Sequence, residues 1–234
     1  MKRLLLGSTS ATYGTGYLDH LEAEIRELYG AARRVLFVPY ALRDRDLYAA
    51  RARERLGRMG LSVEAIHESK DPTRAVLDAE AFFIGGGNTF RLLREIHENG
   101  LVDPIRMRVE AGIPYLGTSA GSNVACVTIK TTNDMPIVEP PTLRALGLVP
   151  FNINPHYVDA DPASTHMGET RETRIREFHE ENDPAVVGLR EGSMLRIEGL
   201  RVRLAGTAGA RVFFKGRQPR EFLPGADLDF LLET

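Results

Sequence analysis

What most constrains this chain is an alternation in its first half. Short, largely apolar runs recur, and each is followed by a stretch with helical spacing. Leu4-Leu5-Leu6 precedes Leu18, Leu21, Ile25 and Leu28, and Val35-Leu36-Phe37-Val38 precedes the charged helical segment 46–59. A third run, 62–66, leads into 71–79. There Asp71-Pro72 supplies a capping carboxylate and then a proline at the first helical position, where an N–H would lack a partner anyway. The run 81–85 precedes a helix over 88–100, capped by Asn88 and stopped by Gly100. Asp103-Pro104 predicts a further helix start, ending near Gly112, and 113–117 is the fifth strand.

A strand that is apolar at every position must be covered on both faces. The pattern therefore predicts an α/β fold, with a mainly parallel central sheet between helical layers. Ligands of such sheets collect at the carboxyl ends of the strands. Those ends carry Ser8-Thr9-Ser10, Pro39-Tyr40, His67, Gly85-Gly86-Gly87-Asn88 and Ser119. The second half differs. Strand-like runs at 151–154, 185–189, 193–197, 200–204 and 211–214 are joined by short turns, with one helix at about 168–181. The last three runs predict an antiparallel C-terminal edge. No linker, repeat or low-complexity segment divides the 234 residues, so a single domain over 1–234 is expected.

Charge narrows the function classes. Thirty Lys and Arg stand against 32 Asp and Glu, a formal net charge of −2, and the arginines are scattered among carboxylates. That balance offers no surface for nucleic acid or an anionic membrane. No stretch approaches the roughly 18–20 apolar residues of a membrane span. The basic start MKRLLLGSTS holds only three leucines, too short for a signal-peptide core. The single cysteine, Cys126, excludes an intramolecular disulfide and fits a reducing compartment, so a cytoplasmic location is expected.

The stretch 114-PYLGTSAGSNVA-125 carries Gly117-Thr118-Ser119-Ala120-Gly121. Small residues around a serine permit a sharp strand-to-helix turn that lifts the hydroxyl clear of the sheet. The N–H of the next residue, Ala120, then points into the site. The same pattern also arises in glycine-rich loops that pack a helix onto a sheet, so Ser119 needs a base before it reads as a nucleophile. Of six histidines, His20, His97 and His179 fall in helical segments and read as packing or surface residues, while His166 lies in a polar loop. His156 closes 151-FNINPH-156, and His67 ends another strand; either could serve. His156, Asp159, Asp161 and His166 also cluster within eleven residues, but their spacing matches no helical ligand pair, so no metal or other cofactor is expected. For the carboxylate that orients the base, Glu191 competes with Asp159.

GGGNTF at 85–90, GTSAGSN at 117–123, TTNDMPIVEP at 131–140, INPHY at 153–157, GETRETRIRE at 168–177 and GLREG at 188–192 occur in one order. With them the chain resembles the peptidase E family of serine peptidases, the alpha-aspartyl dipeptidases, which also includes cyanophycinase-like enzymes. The resemblance implies a three-layer α/β sandwich similar to class I glutamine amidotransferases. It implies a triad of Ser119, His156 and Glu191, and an oxyanion hole from the N–H groups of Gly87 and Ala120. The order Ser–His–Glu differs from the Ser–acid–His order of α/β-hydrolases. The implied reaction is hydrolysis of a small peptide, a dipeptide with an N-terminal aspartate.

Aspartate specificity requires a cation. Arg171 and Arg174 share a helix face if 168–177 is helical, and a guanidinium grips a carboxylate bidentately. The alternative is a solvated face on which they pair with Glu169 or Glu177. Asn88, Asp134 and Asn154 match family motifs near the site and are candidate substrate-binding residues. Asp134 could hold the substrate's amino group or support its own loop. Two other readings stand beside the dipeptidase: a cyanophycinase-like hydrolase of aspartyl-arginine peptides, and a non-catalytic amidotransferase-like binding module. A homodimer is left open.

Overall fold

The computed structural model describes all residues except 162, 164, 166 and 234. The chain begins with β1 (Arg3–Gly7), α1 (Glu22–Tyr29), β2 (Arg34–Val38), α2 (Arg45–Gly57) and β3 (Ser62–Ala65). It continues through α3 (Pro72–Asp78), β4 (Phe82–Ile84), α4 (Thr89–Glu98), α5 (Val102–Glu110), β5 (Tyr115–Thr118) and α6 (Ala120–Ala125). The second half adds β6 (Asn152–Pro155), α7 (Arg171–Glu181), β7 (Val186–Leu189), β8 (Ser193–Glu198), β9 (Arg201–Gly206), β10 (Ala210–Phe213) and β11 (Arg220–Phe222).

Seven strands form the central sheet in the order β3-β2-β4-β5-β1-β8-β9. β1 to β5 are mutually parallel; β1, β2, β4 and β5 are buried almost throughout, as parallel strands covered on both faces are, while β3, at the sheet edge, alternates. β8 runs antiparallel to β1, and β9 antiparallel to β8, which gives the expected antiparallel edge. Side chains alternate between two cores. Leu5, Val35, Phe37, Phe83 and Leu116 face α1 and α2. Leu4, Leu6, Leu36, Phe82, Ile84 and Tyr115 face the opposite layer, with Leu92 and Ile96 of α4, Ile105 of α5 and Val124 of α6. Each buried Leu or Phe is worth about 1.5–3 kcal/mol, so burial fixes where β1, β4 and β5 end. Among the described residues no helix is long and apolar enough to cross a membrane.

The second half departs from the sequence expectation in one respect. Residues 211–214 do not join the edge of the central sheet. Instead β10 pairs with β7 and β11 in a second sheet, ordered β11-β10-β7-β6, whose Ile153, Val187, Leu189 and Val212 complete the second core. β11 carries no apolar run and is mostly exposed, so nothing in its composition announces a strand. α5 starts at Val102, with Leu101 as its cap instead of Asp103. Pro104 is tolerated there because the first four N–H groups of a helix lack intrahelical partners. α7 starts at Arg171, where the Thr170 hydroxyl accepts from the Thr173 N–H.

Candidate active site

Ser119 sits between the end of β5 and the start of α6, with φ 52° and ψ −110°. Such a backbone costs a non-glycine residue on the order of 1–3 kcal/mol and persists only where the surroundings enforce it. Here they do. The Ser119 N–H donates to the Gly7 carbonyl at 3.0 Å. The Ser122 hydroxyl lies 2.7 Å from the same carbonyl and 3.0 Å from that of Gly117. The flanking glycines are sterically obligatory. A Cβ on Gly117 would lie 2.6 Å from the Gly121 oxygen, and one on Gly121 would lie 2.0 Å from the Ile84 oxygen. Gly86 backs the turn, 3.1 Å from the Ser119 Cβ by the same measure, and Gly87 has φ 131°. The N–H groups of Gly87 and Ala120 donate to no acceptor among the described residues.

His156 follows β6 and also has a left-handed φ of 52°. Its Nε2 lies 2.9 Å from Ser119 Oγ, and its Nδ1 lies 2.7 Å from Glu191 Oε1. A carboxylate can only accept, so Nδ1 carries the proton and Nε2 presents its lone pair to the serine hydroxyl. Glu191 arrives on the turn from β7 to β8, which crosses from the second sheet back to the central one. Hydroxyl, imidazole and carboxylate thus stand in one hydrogen-bonded line, an arrangement in which an imidazole could take a serine proton.

The rival residues lie elsewhere or are engaged otherwise. His67 contacts Asp46 Oδ1 at 2.9 Å. Asp159 takes two hydrogen bonds from Arg190, at 2.8 and 2.7 Å, and these hold its carboxyl below the usual range. His97 contacts the Arg144 carbonyl and His179 that of Pro184. Within the 156–166 cluster, His156 and Asp159 point to different partners, Asp161 accepts from the Ala163 N–H, and His166 lies outside the described residues. Cys126 is fully buried in the helical layer, and burial pushes its thiol up to about 12.

Three candidate substrate residues make local contacts, though the buried Asn154 Oδ1 has no partner among the described residues. Asn88 caps α4 by accepting from the Arg91 N–H, and its amide donates to the Met135 carbonyl. Asp134 Oδ2 accepts from the Thr89 N–H at 2.7 Å and from the Thr89 hydroxyl at 2.5 Å. Asn154, buried, donates to the Thr131 carbonyl and to Asn133 Oδ1. Together they tie loop 131–135 to the start of α4 and to β6. The arginines behave differently. Arg174 pairs with Glu169 at 3.3 Å, whereas Arg171 has no carboxylate partner among the described residues. Burial, and then the neighbouring Arg174, pull the Arg171 guanidinium below its ordinary value. Both arginines line an open depression of about 490 Å³ with Val158, Asp159, Asp161 and Glu169.

Ser8 follows β1 at its carboxyl end, and its sequence context gives it no role. In the structure its hydroxyl donates to the Leu189 carbonyl and accepts from the His156 N–H. No spacing rule signals such a contact, since its partners lie 148 and 181 residues away.

Residues 4–205 match peptidase family S51. A protein of Streptomyces coelicolor named Peptidase E is 53% identical over 231 residues, covering 99% of this chain and 95% of that protein. A Drosophila melanogaster protein named "Probable alpha-aspartyl dipeptidase" is 48% identical over 235 residues, covering 99% and 98%. The solved structure of a peptidase from an acI-B1 Actinobacterium superposes with a TM-score of 0.74 over 97% of this chain and 96% of that one, at 16% identity, a likeness of fold.

Proposed function

From the premise that this chain belongs to peptidase family S51, we propose that it is a serine-type dipeptidase that releases an N-terminal aspartate from Asp-Xaa dipeptides. The observation that carries the proposal is the unbroken line from Ser119 Oγ through His156 to Glu191, with contacts of 2.9 and 2.7 Å, on a strained elbow. Ser119 attacks the peptide carbonyl carbon as His156 Nε2 takes its proton, and Glu191 steadies the resulting imidazolium. The N–H groups of Gly87 and Ala120 receive the oxyanion. His156 then protonates the departing amine, and water repeats the sequence in reverse to free the acyl group.

Arg171 is the candidate partner for the aspartate side chain. Burial and Arg174 both disfavour its charge, so a bound carboxylate relieves two penalties at once. An asparagine in that position leaves the cation unmatched, at a cost of roughly 2–5 kcal/mol. Glutamate keeps the charge but misplaces it by more than about 1 Å, a shift that costs about 10²-fold.

The test is kcat/KM for Asp-Leu, Asn-Leu, Glu-Leu and N-acetyl-Asp-Leu, with a branched aspartyl-arginine polymer as a fifth substrate. The expected result is cleavage of Asp-Leu with the others at least about 30-fold slower. Equal rates on the four small peptides would refute the proposal. Preference for the polymer would move the substrate to the cyanophycinase class.

A further inference from the structure

Two neighbouring residues at the end of β1 hold the backbones of both proposed reacting side chains. The Gly7 carbonyl takes the N–H of Ser119 at 3.0 Å. The Ser8 hydroxyl takes the N–H of His156 at 2.8 Å. Ser8 is fully buried, and its hydroxyl and its N–H both have partners. Its hydroxyl proton goes to the Leu189 carbonyl at 2.7 Å, an oxygen that also accepts from the Tyr157 N–H at 3.1 Å. Its own N–H goes to the Ser193 carbonyl at 3.0 Å. Leu189 and Ser193 lie two residues before and two residues after Glu191. One side chain therefore joins the end of β1 in the central sheet to the ends of β6 and β7 in the other.

We infer that Ser8 is a positioning residue for the reaction, setting the distance between Ser119 and His156 by clamping the His156 backbone across the two sheets. The inference rests on the triad reading above. His156 is held at φ 52°, a region an L-residue leaves when nothing retains it. Its N–H is the retained group, and Ser8 Oγ is the acceptor. Without the hydroxyl, the N–H must turn toward another acceptor. That turn swings the imidazole away from Ser119 Oγ while leaving Ser119 on Gly7. Proton transfer depends on this alignment, and a displacement of about 1 Å costs about 10²-fold. Substrate contacts lie elsewhere, so the loss falls on kcat.

The experiment compares wild type, Ser8→Ala, Ser8→Cys, Tyr29→Phe and Ser119→Ala on Asp-Leu, with thermal unfolding and the far-downfield proton resonance of the His156 Nδ1–H. Tyr29 donates a buried hydrogen bond to the Phe82 carbonyl in the other core, so its loss reports the cost of any buried hydroxyl. The expected result is a kcat about 10²-fold lower in Ser8→Ala, with KM within about threefold and the downfield proton broadened or lost. Tyr29→Phe should lower the unfolding temperature and leave kcat and the resonance unchanged. Should Ser8→Ala fail to fold, Ser8→Cys decides: its thiol fills the volume but is a weak donor and acceptor, and a kcat about 10-fold lower is expected. Wild-type kcat in the folded Ser8 variant overturns the inference. So does a fall in unfolding temperature with kcat and resonance intact. An active Ser119→Ala would instead overturn the triad reading itself.

Discussion

Replacing Glu191 with glutamine should cost far less than the same change in a buried triad. When the acid is buried and its amide cannot turn, the substitution forces the wrong imidazole tautomer and costs about 10⁴-fold. Here the Glu191 side chain is 56% exposed and that of His156 38%. A glutamine at 191 is free to rotate and present its carbonyl oxygen to the Nδ1–H, so the productive tautomer survives. What is lost is the charge on the acceptor facing the imidazolium. A hydrogen bond to a charged group contributes about 1.5–3 kcal/mol and a neutral one about 0.5–1.5 kcal/mol. Removal of the charged bond outright corresponds to about 10- to 150-fold, and water at this exposed site replaces part of it. Glutamine keeps the neutral bond, so only the difference of about 1–1.5 kcal/mol is lost, and the expected fall in kcat for Glu191→Gln on Asp-Leu is about 5- to 15-fold, with little change in KM. Glu191→Ala should fall further, because nothing then orients the ring. A loss of 10⁴-fold or more in Glu191→Gln would refute the reasoning, since it would mean that the reacting enzyme encloses this pair.

Other outcomes follow from the same geometry. Arg171→Ala should erase the preference for Asp-Leu over Asn-Leu, and Arg174→Ala should largely keep it, because Arg174 already pairs with Glu169; kcat/KM ratios for the two substrates check this. Native enzyme treated with iodoacetamide should keep full activity, since a buried thiol pushed up to about 12 leaves on the order of one thiolate in 10⁴ at pH 8, and mass spectrometry should find Cys126 alkylated only after unfolding. Dialysis against EDTA should leave kcat unchanged, as every proton transfer is assigned to His156. Gly121→Ala places a methyl 2.0 Å from the Ile84 carbonyl, so it should cost more than about 3 kcal/mol in chemical denaturation and abolish activity even where some protein folds.

How much of this site the sequence discloses depends on the kind of force that builds each part. β1 to β5 are legible because burial dictates them: Phe82-Phe83-Ile84 can only be a covered strand, and covering it demands helices on both sides. The elbow is legible for a related reason. A Cβ on Gly117 or Gly121 would strike backbone, so the chemistry of the turn is written in residue types at fixed spacing. The antiparallel edge is legible only in part. β8 and β9 pair antiparallel as expected, but β10 carries the same apolar signal and goes to another sheet, because an apolar run says that a strand is buried and not which neighbour it pairs with. The polar ties that hold loops, helix ends and the two sheets together are not legible at all. Asn88, Asp134 and Asn154 read as substrate ligands from their motifs, yet each has a loop or helix terminus to hold, and polar residues of either role look the same in one dimension. Ser8 is the extreme case, since its meaning lies wholly in partners 148 and 181 residues distant. Local sterics leave a trace in residue type, whereas a single hydrogen bond across two sheets needs only a hydroxyl in the right place. Such residues must be found from coordinates and tested by kcat, and stability alone does not separate them from any other buried serine.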